Sequence, residues 1–277
     1  MKLARYGEKG MEKPGLVDGE GRLRDASAFV EDWRGAFLGD DTLARLRPED
    51  MPLVGGAPRL GAPVAQIGKI VGIGLNYRAH AAEAGLPPPQ DPIIFMKAAS
   101  ALNGPNDDII LPRGSRKTDW EVELAAVIGK GGKYIKREDA LSHVAGYCIA
   151  NDVSEREYQI ERGTQWTKGK SADTFAPLGP WLATRDEIPD PQNLKLELLL
   201  NGKRMQRGNS ADMIFSIAEL VARASEYFSW QAGDVMITGT PPGVGFGQKP
   251  PRYLRAGDAL TLRIGGLGEQ NAVVAEG

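Results

Sequence analysis

A chain of 277 residues with 42% apolar and 25% charged residues and a formal net charge of -2 has the makings of a soluble globular protein with a sizeable core. The near-neutral charge gives no electrostatic reason to expect nucleic acid or an anionic membrane as partner, and no apolar run approaches the roughly 20 residues that span a bilayer. MKLARYGEKG has no apolar stretch of signal-peptide type, and a lone cysteine, Cys148, leaves no internal disulfide, so the cytoplasm is the expected compartment.

Residues 1 to 65 differ from the rest. MKLARYG and GLVDGEGRLRDAS read as short strands joined by Gly-rich turns, and Asp41 is placed to cap a short helix over TLARLRP. Pro52, Pro58 and Pro63 punctuate the passage onward. The expected division is a small N-terminal domain over 1–65 and a larger domain over 66–277. From IGKIVGIGLNY onward PIIFMKAAS, DDIILP, WEVELAAVIG and GYCIANDV are short apolar runs bounded by turn residues, the mark of strands. Cys148 lies within GYCIANDV and is expected to be a buried, inert thiol. REDALSHV and EREYQIERG read as short helices, with His143 structural.

LKLELLLNGKRMQRG carries Asn201-Gly202 between two runs, which predicts a hairpin with a type I′ turn. SIAELVARASEYFSW predicts the main helix, with Ser216 and Glu219 as a capping box. DVMITGTP, DALTLRIG and NAVVAEG add three strands. Many strands and few helices predict a β-rich α+β fold, a sandwich or rolled barrel rather than a Rossmann sheet.

Two Gly-rich stretches imitate nucleotide-binding motifs and fail on spacing. GIGLNY lacks the third glycine and the downstream acid of a dinucleotide fingerprint. GTQWTKGKS has five residues between Gly163 and Gly169, where a phosphate loop has four. GTPPGVGFG has no lysine and reads as a rigid loop that can present backbone N–H groups and Thr240 to an anion.

The chemistry-bearing residues are carboxylates. Glu121 and Glu123 stand as Glu-x-Glu in a predicted strand, so both point to one side. Asp152, at the end of another apolar run, can converge on them. Three acids that meet without basic neighbours repel one another, and an all-oxygen set relieved by a hard cation points to magnesium, manganese or calcium. Spacing alone equally allows three ordinary salt bridges. His80 and Glu83, i and i+3 on a predicted helix, share a face, so the carboxylate can orient the imidazole as a base for water. A solvent-facing pair is the alternative. GLPPPQDP follows them and can form a lid, and Lys170 in KGKSADTFAPLGP can hold a substrate oxyanion or face solvent.

Taken together, GIGLNYRAHAAE, FMKAASAL, DWEVELAAVIGK, GYCIANDVSERE, GKSADTFAPLGP, NGKRMQRGNSADMIFS and DVMITGTPPGVG resemble the fumarylacetoacetate hydrolase family, in order and over roughly residues 68 to 265. The resemblance implies a mixed β-roll catalytic domain, a divalent metal (usually Mg2+, with Mn2+ or Ca2+ as substitutes) and a homodimer. It implies metal ligation by Glu121, Glu123 and Asp152, a catalytic His80-Glu83 pair with Lys170, and substrate contacts from Gln159 and Thr240. The implied reaction is hydrolysis of a C–C bond in a 2,4-dioxo acid (an acylpyruvate) to pyruvate and a carboxylic acid. Hydrolases of 2,4-diketo-3-deoxy sugar acids are the bacterial relatives it suggests. Oxaloacetate decarboxylation, isomerisation of an unsaturated 2-hydroxy diacid, ureidoglycolate cleavage and non-catalytic binding of small acids are alternatives on the same residues.

Overall fold

The apolar runs that read as strands lie side by side in one large mixed sheet. The computed structural model describes residues 1–277, the side chain of Asp40 excepted. Across the middle of that sheet run Ala176–Thr184, Val144–Asn151, Val122–Ile128, Val235–Ile237, Ile70–Gly74 and Ile93–Lys97, in that order. All neighbours are antiparallel except Val235–Ile237 and Ile70–Gly74, which are parallel. Every residue of Val122–Ile128 and Val144–Asn151 is buried, so both faces of these strands are covered. That is why they read as unbroken apolar runs rather than alternating ones. Cys148 sits there, and burial pushes its thiol pKa up, so it stays protonated and inert as expected.

The N-terminal strands join the same sheet. Lys2–Tyr6 pairs antiparallel with Ala176–Thr184 through Leu3 opposite Leu182, and Lys13–Val17 and Leu23–Asp25 follow outward. Trp33, fully buried beneath them, donates from its indole N–H to the carbonyls of Ala4 and Gly15.

A second sheet holds Lys203–Asn209, Lys195–Leu200, Ala259–Ile264, Gly268–Glu276 and Ile109–Leu111. Its hairpin turns at Asn201 and Gly202, with φ of 51° and 75°, the paired positive values of a type I′ turn. Two buried glutamines tie the sheets together. Gln206 accepts from Val122 N at 2.9 Å, and Gln270 donates to the carbonyls of Ile149 and Gly179 at 2.9 and 3.1 Å. A glutamine can be buried there because backbone groups of the opposite sheet satisfy its amide. The result is a mixed β-roll, as expected.

The helical expectations need correction in detail. The main helix, Ile217–Tyr227, has Ser216 as N-cap, accepting from Glu219 N at 3.3 Å. The capping box is only half made, because the Glu219 carboxylate is taken by Arg223, one turn on. The helix near Asp41 spans Asp40–Leu43, so Asp41 lies inside it rather than capping it. REDALSHV gives only a 3₁₀ turn, Ala140–His143, and EREYQIERG a single π-helical turn, Glu157–Glu161. His143 is structural, its Nδ1 lying 2.8 Å from the Lys130 carbonyl.

Candidate active site

Two neighbouring strand ends bring the carboxylates together. Glu123 lies in Val122–Ile128 and Glu121 just before it, while Asp152 follows Val144–Asn151, the antiparallel neighbour. Asp152 N donates to Glu121 O at 2.9 Å, which continues the pairing past the ladder and fixes Asp152 beside Glu121. All three side chains are buried, and one oxygen from each lies within 4.8 Å of the others.

These acids do not meet alone, contrary to the expectation of a cluster without basic neighbours. Lys170 Nζ donates to Glu121 Oε2 at 2.7 Å and to Asp152 Oδ2 at 2.6 Å. Lys97, the last residue of Ile93–Lys97, donates to Asp152 Oδ1 at 2.5 Å and to Val153 O at 3.2 Å. Arg156 pairs with Glu121 Oε1 at 2.6 Å and with Asp119 Oδ2 at 2.8 Å. A fourth buried acid, Asp119, thus belongs to the network.

Lys97, Asp119 and Arg156 escaped the sequence reading. A signal for Asp119 exists: Asp119, Glu121 and Glu123 alternate in DWEVE, so the acidic face begins one step earlier. Lys97 and Arg156 come from strand ends distant in sequence and carry no local signal.

Counting formal charges, Asp119, Glu121, Glu123 and Asp152 face Lys97, Arg156 and Lys170, one cation short. The shortfall falls on Glu123, the one member of the four without an ion pair among the described residues. Burial and the charges of Asp152 and Glu121 push its pKa well above the usual carboxylate range. Burial also raises Glu121, but Lys170 and Arg156 outweigh it and hold its pKa well below that range. Burial lowers Lys170, yet Asp152 and Glu121 more than compensate and keep it cationic. Lys97 is shifted down, by burial and by the nearby Lys170, against the pull of Asp152.

The donor set fits a hard divalent cation. Its atoms are all carboxylate oxygens, gathered within 4.8 Å of one another, the kind of donor set a hard cation takes. An added double charge turns a deficit of one into a surplus of one. That surplus suits an anionic ligand.

His80 and Glu83 sit on the short helix Arg78–Glu83, and His80 Nδ1 lies 3.2 Å from Glu83 Oε2, as the spacing predicts. Glu83 is itself fixed by Gly243 N, which donates to its carboxylate at 3.0 and 3.1 Å. The anions held by the loop at GTPPGVG are therefore the protein's own: Gly239 N also donates to Glu123 Oε2 at 2.7 Å. Thr240 donates its hydroxyl to Val122 O at 2.8 Å and accepts from Gln206 at 2.7 Å, so its one hydroxyl proton is committed to the fold.

A cavity of about 450 Å3 gathers His80, Glu121, Glu123, Lys170, Gln159 and Thr240 along its lining. Gln159 accepts from Arg156 Nη1 at 2.9 Å. Asp152 and Glu83 stand one layer behind, reaching the cavity through Lys170 and His80. GLPPPQDP borders the mouth through Leu86.

Buried acids, a buried lysine and a carboxylate-held imidazole thus meet around one cavity in a β-roll. The chain belongs to the fumarylacetoacetate hydrolase family: the family model "Fumarylacetoacetate (FAA) hydrolase C-terminal" matches residues 69–275. A protein of Burkholderia multivorans, named provisionally as a hydrolase, is 58% identical over 98% of this chain and 97% of its own. A structure described as a probable 2-hydroxyhepta-2,4-diene-1,7-dioate isomerase from Mycobacterium abscessus is 34% identical, with a TM-score of 0.85 over 100% of this chain and 99% of that one. Maleylpyruvate hydrolase from Sphingobium sp. SYK-6, in complex with manganese(II) and pyruvate, is 29% identical, with a TM-score of 0.83 over the whole of both chains. The family thus contains hydrolases and isomerases. No helix among the described residues is long and apolar enough to cross a membrane.

Proposed function

We propose that the protein hydrolyses the C–C bond of an acylpyruvate, giving pyruvate and a carboxylic acid, with a divalent cation, Mg2+ by preference, at Glu121, Glu123 and Asp152. The observation that carries this reading is that Glu121, Glu123 and His80 line one cavity, with Asp152 and Glu83 directly behind them. Likeness to an enzyme holding manganese(II) and pyruvate supports the choice of ion class and product. A cytoplasmic homodimer is part of the proposal.

When bound, the cation supplies positive charge against the oxygens of a 2-oxo acid. The chain's own residues do the rest. Glu83, immobilised by Gly243 N, holds His80 through Nδ1 and leaves Nε2 as the nitrogen for a water proton. As Nε2 takes that proton, the water oxygen bonds to the acyl carbonyl carbon and the carbonyl π pair moves onto its oxygen. When that pair re-forms the carbonyl, the bond from the carbon to the pyruvate methylene breaks, and its electron pair leaves on pyruvate as an enolate. Lys170, kept cationic by Asp152 and Glu121, faces the negative charge. Proton return to the methylene carbon completes pyruvate.

Isomerisation of a 2-hydroxy-diene diacid is the second reading, favoured by likeness to the Mycobacterium abscessus structure. It leaves His80 with no water to activate. The test is a panel of acylpyruvates, oxaloacetate and a 2-hydroxy-diene diacid with Mg2+, read by lactate dehydrogenase coupling and by the diene absorbance. Pyruvate from acylpyruvates is expected. Turnover of the diacid or of oxaloacetate alone overturns the hydrolase reading.

A further inference from the structure

We infer that the acyl group taken by this site is a hydrocarbon, aliphatic or aromatic, rather than a carboxylate-bearing or polyhydroxylated chain; the inference rests on the proposed acylpyruvate reading. The cavity lining joins two unlike sets of residues, the cluster of acids and cations and the apolar side chains Leu75, Leu86, Phe95, Ile160, Trp166 and Phe246.

The aromatic wall is built into the backbone beneath it. Phe95 and Trp166 stand with ring centroids 5.7 Å apart, tilted by 52°. They lie over Gly72 and Gly74, which share a face of Ile70–Gly74. A Cβ on Gly72 would come 2.2 Å from the Phe95 ring, and one on Gly74 2.4 Å from Trp166. No side chain fits at either position, so these glycines of IVGIG serve to admit two rings. Lys170 Nζ lies 5.0 Å from the Phe95 ring centroid and the Arg156 guanidinium 6.0 Å from that of Phe246, so the apolar wall adjoins the acid cluster.

The mouth continues the pattern. Leu86, Ile160 and Phe246 remain 48, 50 and 38% exposed around it, an apolar rim that an apolar ligand would cover. Asp119 holds that rim in place, accepting from Gly245 N at 2.7 Å and Phe246 N at 2.9 Å.

The apolar side chains of this wall offer no cation to a second carboxylate. Lys170 and Arg156 are the lysine and arginine of the lining, and both are already paired with acids of the protein. The carbonyl oxygen of Gln159 is taken by Arg156. A fumaroyl or maleoyl group would lay a charge against rings, and a sugar-acid tail would lay its hydroxyls along them.

Two measurements test this, with Mg2+ present throughout. The first compares kcat/KM for acetyl-, hexanoyl-, benzoyl- and fumarylpyruvate and a 2,4-diketo-3-deoxy sugar acid. Each methylene should add about fourfold, so hexanoylpyruvate, four methylenes longer, should exceed acetylpyruvate by about 250-fold. It should exceed fumarylpyruvate and the sugar acid at least tenfold, and Leu86→Arg should narrow its lead over fumarylpyruvate by at least tenfold. Preference for fumarylpyruvate or the sugar acid overturns the inference while leaving the hydrolase reading intact. The second is calorimetry with unreactive oxamates. N-hexyloxamate should bind more tightly than both oxamate and its ω-carboxy counterpart, and equal or reversed affinities overturn the inference. If no acylpyruvate releases pyruvate, the hydrolase reading fails and the oxamate affinities decide the character of the wall alone.

Discussion

Lys170 Nζ lies 2.6 Å from Asp152 Oδ2 with both side chains buried, and the same ammonium bridges to Glu121 at 2.7 Å. One lysine therefore neutralises two of the three carboxylates proposed to hold a cation. Removing one partner of a buried pair costs about 3–5 kcal/mol, because the uncompensated charge stays behind. Lys170→Met is expected to lose that much stability in urea unfolding without metal. Added Mg2+ should return more stability to the variant than it gives the wild type, since the ion relieves the acids left unpaired. Equal Mg2+ gains in both proteins would show that the lysine and the ion do not share these carboxylates.

His80 is held through Nδ1 but touches none of the three acids by hydrogen bond. His80→Ala should therefore leave Mg2+ affinity within about twofold of wild type, while kcat on an acylpyruvate falls by about 10² to 10⁴. Calorimetric titration of the ion beside steady-state kinetics separates the two effects. An undiminished kcat would remove His80 as the base.

Asp119 joins Arg156 to the rim loop through Gly245 and Phe246. Asp119→Asn keeps the shape but loses the charge, leaving Arg156 with Glu121 as its remaining acid partner. We expect KM for an acylpyruvate to rise about tenfold and Tm to fall. Unchanged KM at lowered Tm would reduce Asp119 to a purely structural residue.

Asp258 supplies a pH prediction away from the site. It accepts from Arg252, Asn201 and Arg255 N, at 2.7 to 2.8 Å. Burial raises its pKa, but these donors outweigh burial and hold it below the usual carboxylate value. A folded-state pKa below the unfolded one means stability that is present above about pH 4 and lost as pH falls through the folded value. Asp258→Asn should cost about 1–2 kcal/mol at pH 7, screening by solvent included, and flatten the acid limb of the stability curve. A variant with the same acid slope as wild type would contradict the assignment.

Much of the site was legible because its signals are local. Glu-x-Glu and His-x-x-Glu each fix a shared face within four residues, and the structure has Glu123 on a strand with Glu121 one residue before it, and His80 and Glu83 on a helix. The Asn201-Gly202 turn was legible for the same reason. What stayed hidden depends on strands meeting in three dimensions. Lys97 and Arg156 reach the acids from Ile93–Lys97 and from just beyond Ser154–Glu155, and neither neighbourhood reveals a buried cation. The Gly72 and Gly74 pair illustrates the opposite error. Its G-x-G spacing imitates a nucleotide fingerprint, whereas its physical cause is the pair of rings lying on it.

Pyruvate release from an acylpyruvate, by wild type and Glu123→Ala, in Mg2+ and in excess chelator, tests the central claim most directly. Glu123 alone of the four clustered acids lacks an ion pair among the described residues, so its loss removes the place where an added cation is most needed. The account predicts turnover by wild type in Mg2+, its loss in chelator with recovery on readdition, and at least a thousandfold lower rate for Glu123→Ala in either condition. Full wild-type turnover in chelator, or a Glu123→Ala variant that Mg2+ still activates normally, would contradict it.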